Sequence, residues 1–223
     1  MPTQIQVIQS NNKSIVFFWK ALLPKPAHEI WIPSPWFDYT VSINADGNPN
    51  LIVHGPESES SNSTLAVGSI FGVRIVCSRT GKRLLEQLVD QPLPRSLDEL
   101  QGRISKHAAQ LANERPRYKS VRQQSRDFKK IYGVSKTQLE HIKSVHRFLA
   151  RECGYSPTSE NITHHIDYSR YYDQPHFNKL FLKVTGMNPT DFFKTYEGLG
   201  EQLMSFSYKL LDENFETIQA AKE

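Results

Sequence analysis

The stretch NITHHIDYSRYYDQPHFNKLFLKVTGMNPTDFF, residues 161–193, decides how the rest of the chain is read. Ile162 and Ile166 stand four apart, which puts both on one face of a short helix, and Asn161 before them is a good N-cap residue. Ser169-Arg170-Tyr171-Tyr172 then breaks the helical period. Asp173 is a second N-cap candidate, with Pro175 in the following first turn, where a missing N–H costs little. Phe177, Leu180, Phe181 and Val184 form one apolar helix face. Gly186 supplies the C-terminal stop, and Pro189 is expected to keep the helix from resuming. The pattern is helix, tight turn, helix and capped exit.

The opposite face of the second helix carries Gln174, His176, Asn178, Lys179 and Lys183. Amides and cations opposite a buried face match the chemistry of a helix laid in a DNA major groove. There, side-chain amides reach base edges and lysines reach phosphates. Any surface helix also has a polar face, so periodicity alone leaves a solvated face open.

The residues YYDQPHFNKLF, followed by GMNPTDFF, closely resemble the second helix-turn-helix of the AraC/XylS family of bacterial transcription regulators. Tyr171, Asp173, Gln174, His176, Phe177, Lys179, Phe181, Lys183, Gly186 and Pro189 fall at matching positions or carry a like residue. Arg170 departs from the family pattern, which has Gly in the turn, where a positive φ is often needed. The resemblance implies a tandem of two such units.

A weaker copy lies upstream. Ala108–Ala112 reads as helix, residues 113–119 as a turn broken by Pro116, and Ser120 as the cap of a helix from Val121 to Tyr132 ended by Gly133. SVRQQSRDFKKIYGVSK is similar to the family's first unit, with Gln124 where an apolar residue is usual and Lys136 where Pro is usual. Arg122, Gln123, Ser125, Arg126, Lys129 and Lys130 line its exposed face. Arginine paired with guanine is the commonest specific contact in protein–DNA complexes. Gln174, His176, Lys179, Arg122 and Arg126 are therefore the candidate base readers, and Lys129, Lys130 and Lys183 the candidate phosphate contacts. Ser135 to Arg151 reads as one long helix. In the resemblance it joins the units and holds both recognition helices on one DNA face, with major-groove sites ~34 Å apart.

Residues 1 to about 90 read as β-rich. Ile15–Trp19, Trp31–Ile32, Tyr39–Ile43, Leu51–Val53, Leu65–Val67 and Ile70–Val76 are strand candidates. Asp46-Gly47 marks a turn, ESESSNST at 57–64 a polar loop, and Gly81–Leu88 a short helix. Trp19, Trp31, Trp36, Phe37 and Phe71 either line an effector pocket or fill the core of a small sheet domain. QPLPR at 91–95 is a boundary, after which Ser96-Leu-Asp-Glu99 reads as a capping box. The expected fold class is α+β. A β-rich domain over 1–92, for sensing or dimerisation, precedes an all-α domain over 96–196 with two helix-turn-helix units joined by a long helix. An acidic amphipathic helix over 197–223, with Leu203, Phe206, Leu210 and Leu211 at helical spacing, follows.

Charge follows the same division. Residues 104–184 hold 8 Lys and 7 Arg against 7 acids, net +8, whereas residues 185–223 hold 3 Lys against 7 acids, net −4. A basic half is the electrostatic footprint expected for phosphate contact. No apolar run reaches the length of a membrane span and residues 1–10 lack a signal-peptide pattern, so a cytoplasmic, nucleoid-associated protein is expected. Cys77 and Cys153 form neither a disulfide framework nor a zinc pattern. No phosphate loop, nucleophile elbow or zinc spacing is present, and adjacent His164 and His165 point different ways on a helix; no enzyme activity, cofactor or metal is expected. The expected partners are double-stranded DNA and RNA polymerase, with a small-molecule effector and a homodimer left open. The competing reading is a degenerate relative that regulates through protein contacts without binding DNA.

Overall fold

In the computed structural model, residues 4–111, 121–153 and 173–197 are described. Five antiparallel strands make the main sheet: β1 (Gln4–Gln9), β2 (Ile15–Leu23), β7 (Gly68–Ile75), β4 (Phe37–Asn44) and β5 (Pro49–His54), in that spatial order. A separate two-stranded ladder pairs β3 (Ala27–Trp31) with β6 (Ser61–Leu65). The helices are α1 (Arg79–Val89), α2 (Leu97–Leu111), α3 (Val121–Tyr132), α4 (Lys136–Cys153), α5 (Gln174–Thr185) and α6 (Pro189–Glu197). The chain is thus mixed α+β, a sheet-forming amino-terminal region followed by helices. No helix among the described residues is long and apolar enough to cross a membrane.

Two compact units divide the chain, and not at the expected boundary near residues 92–96. The first contains residues 1–26, 34–57 and 65–138. The second contains residues 27–33, 58–64 and 139–223. Helices α1 to α3 therefore belong with the main sheet, and most of the β3–β6 ladder belongs with α5 and α6.

The first unit folds because β-strand alternation sorts its side chains. Phe37, Tyr39 and Val41 of β4 and Phe71, Val73 and Ile75 of β7 sit on one face, the period-two set expected of a half-buried sheet. Leu84, Leu85 and Leu88 of α1 and Leu97, Leu100 and Ile104 of α2 complete that core. Ser78 caps α1, accepting the Gly81 N–H at 3.0 Å, so the helix begins two residues before the expected Gly81. The capping box at the start of α2 forms with a shift. Ser96 Oγ accepts the Glu99 N–H at 3.2 Å, while Glu99 reaches back to the N–H of Arg95, one residue further out, at 2.9 Å.

Two strand expectations are corrected. ESESSNST is not loop throughout: residues 61–64 enter β6, because pairing with β3 supplies the main-chain partners that polar side chains do not. β1, at the sheet edge, was not expected from QIQVIQ. The expected first helix of the second unit (Ile162, Ile166), its turn with Arg170, the 113–119 turn, the Ser120 cap and the acidic helix beyond Glu197 lie outside the described residues.

Candidate nucleic-acid interface

α5 is set by local chemistry at both ends. Asp173, extended at φ −163°, accepts the His176 N–H at 2.8 Å, and Pro175 occupies the first turn. Gly186, at φ 76°, adopts the left-handed conformation and donates its N–H to the Leu182 carbonyl at 2.8 Å. Pro189 does not end helical structure. It opens α6 at a position compatible with proline, behind Asn188, whose Oδ1 accepts the Asp191 N–H at 2.9 Å.

Within the second unit, α5 is held by an aromatic cluster. Phe177 and Phe181 are fully buried against Phe148 of α4, with ring centroids 4.7 and 5.9 Å away at steep angles. Phe192 and Phe193 of α6, also fully buried, lie 5.3 and 6.5 Å from Phe181. Edge-to-face packing of this kind adds stabilisation beyond the buried area and fixes which face of α5 turns inward. Gln174, His176, Lys179 and Lys183 are consequently exposed and Asn178 is half-exposed. One residue of this surface was missed: Leu182 is 49% exposed. It stands four from Asn178 and three from Lys179, on the same side, and falls out of the 177–180–181–184 stripe. An apolar group there has the chemistry to contact a thymine methyl.

His141, on α4 in the same unit, is a second residue that the sequence reading had not placed in this site. Burial holds its pKa below the ordinary imidazole value, and the neighbouring Lys183 and then His176 lower it further. Its Nδ1 is buried without a hydrogen-bond partner among the described residues. A neutral imidazole there spares Lys183 a second adjacent cation.

In the first unit, α3 presents Gln123, Arg126, Lys129 and Lys130 to solvent. For Arg122 and Ser125 the helix backbone alone is described. Phe128 and Tyr132 pack 4.2 Å apart, and Tyr132 stacks on Phe37 at 6.4 Å. Burial, with a small contribution from Cys77, pushes the Tyr132 phenol up to about 12. Gly133 ends α3 at φ 70° and lies against Glu57, which pairs with Lys82 at 2.9 Å. α4 then starts on a capping box of Ser135 and Gln138. Two cations of α4 are partly taken up, since Lys143 and Arg147 both face Glu140, at 2.7 and 3.8 Å.

The five aromatics proposed for an effector pocket are divided between the two compact units. Phe37 and Phe71 are in the sheet core, on one face. Trp19 pairs in register with Gly72 and so points to the other face. Trp36 covers the guanidinium of Arg74 at 5.2 Å, where Arg74 pairs with Asp38 at 2.5 Å. Trp31 belongs to the other compact unit. Among the described residues, no group of three or more potential metal ligands occurs. Comparison with family models, with curated proteins and with solved structures returns no match for this chain.

Proposed function

We propose that this protein is a sequence-specific DNA-binding transcriptional regulator of the AraC type, with α5 as its principal reading helix. The observation that carries the reading is α5 itself. It is a helix capped at both ends and anchored by fully buried Phe177 and Phe181, with Gln174, His176, Asn178, Lys179 and Lys183 left on the outer side. A rigid helix with amides and cations outward meets the needs of major-groove recognition, where side chains must be held in register with base edges. α3 would read a second site through Arg122, Gln123, Ser125 and Arg126 while Lys129 and Lys130 hold phosphates. The two would form the tandem helix-turn-helix pair, and promoter binding would recruit or block RNA polymerase.

The test is a mobility-shift titration on sequences selected from random DNA, repeated across salt. Affinity should fall as salt rises, because cations bound to phosphates release counterions. Absence of binding, or binding indifferent to salt, refutes the proposal and leaves the protein-contact regulator in its place.

A further inference from the structure

The second compact unit contains two short pieces of the amino-terminal region, residues 27–33 and 58–64, separated in sequence from its helices by more of the first unit. Each piece makes a specific polar contact with a different helix. Ser60 Oγ donates to the carbonyl of Val184, in the last turn of α5, at 3.1 Å and across 124 residues of sequence. His146, buried on α4, approaches the Pro33 carbonyl through Nε2 at 2.7 Å. A carbonyl only accepts, so Nε2 carries the proton. β3 and β6, next to these two contacts in sequence, are hydrogen-bonded to each other.

From these contacts we propose that residues 27–33 and 58–64 brace the reading helix, with Ser60 and His146 as its positioning residues. The inference rests on the reading of α5 as a DNA-contacting helix. Carbonyls in the final turn of a helix have no intrahelical partner, and a side-chain donor from outside satisfies one of them. Ser60 supplies that donor one residue after Lys183, so the contact sets where the last turn ends and where Lys183 projects. His146 fixes the other side. Its helix, α4, carries Phe148, against which Phe177 and Phe181 rest. The α4–α5 pair is thereby tied at both helices to strands that are themselves paired. The helical unit is not assembled from carboxy-terminal residues alone; its geometry includes two amino-terminal segments.

The experiment uses the full chain with Ser60→Ala and Ser60→Thr, followed by site-resolved amide hydrogen exchange and DNA titration. Ser60→Ala should speed exchange of the Lys183–Gly186 amides about fivefold, the equilibrium factor that goes with a typical net hydrogen bond. Exchange in α1 and α2 should not change. Affinity for the selected DNA site should fall by a similar factor, with the salt dependence intact because Lys183 keeps its charge. Ser60→Thr, which retains the hydroxyl, should restore both. Unchanged exchange at Lys183–Gly186 in Ser60→Ala overturns the brace, as does a uniform rise in exchange across every element. If the unmodified chain binds no DNA, the DNA reading falls, while the exchange comparison still decides whether the brace exists.

Discussion

Removing the charge of Lys183 gives a quantitative test of the proposed interface. Lys129, Lys130 and Lys183 are exposed, and none has an ion partner among the described residues. If each sits on one phosphate of duplex DNA, the log–log salt slope of the affinity should be about −2.7, at ~0.9 per neutralised phosphate. Raising salt from roughly 50 to 200 mM should then weaken binding about 40-fold. Lys183→Ala removes one contact, reducing the slope to about −1.8 and the same salt effect to about 12-fold. The loss should be equal on specific and random DNA, since a phosphate contact carries no sequence information. Fluorescence anisotropy with labelled duplexes at four or five salt concentrations resolves a slope change of this size. A slope that Lys183→Ala leaves unaltered would remove Lys183 from the phosphate contacts and, with it, the orientation assigned to α5.

Other outcomes are expected as well. Gln174→Ala should lose ~1–3 kcal/mol of discrimination at one base pair and little on random DNA; equal loss everywhere takes Gln174 off the base-reading face. Gly186→Ala places a side chain at φ 76° but meets nothing closer than the Ser60 Cβ at 3.8 Å, so it should cost only the backbone strain of ~1–2 kcal/mol in chemical unfolding. Gly133→Ala carries similar strain and adds a clash, its Cβ lying 2.5 Å from that of Glu57, and should cost more than Gly186→Ala; the reverse order contradicts both placements. Stability should decline as pH falls below about 6.5, the unperturbed His value, because His141 and His54 have pKa values lowered by burial and an unfolded chain takes up their protons first. His141→Gln should flatten part of that decline in thermal melts between pH 7 and 5, and an unchanged profile removes His141 as a cause.

α5 was legible in the sequence to the residue. Its Asp173 cap, its Phe177–Leu180–Phe181–Val184 stripe and its Gly186 terminus are all signals carried within a dozen positions. The core strands β4 and β7 were legible for the same reason, since period-two alternation is local. What escaped was set at long range. β6 is polar in composition and becomes a strand only because residues 27–31 pair with it. Pro189 after Gly186 reads equally as an end or a beginning, because proline suits both the residues past a helix and the first turn of the next. The aromatics of the amino-terminal half carry no sign of which sheet face they occupy until register is known; one position of difference, as between Phe71 and Gly72, sends a cross-strand neighbour to the opposite side.

The same distinction bears on the charge argument. Counting residues gives the 104–184 span a net charge of +8, yet Lys143 and Arg147 converge on Glu140. Exposed pairs of this kind are weak, but they reduce the potential offered to phosphate near α4. The cations without an ion partner among the described residues include Arg126, Lys129 and Lys130 on α3 and Lys179 and Lys183 on α5. Both helices also present amides outward, Gln123 on α3 and Gln174 on α5. Exposed cations without an ion partner among the described residues also occur elsewhere, as Lys106 on α2 and Lys136 on α4. What sets α3 and α5 apart is the joining of exposed cations to exposed amides on one helix, which is what the proposed contacts with phosphates and base edges require.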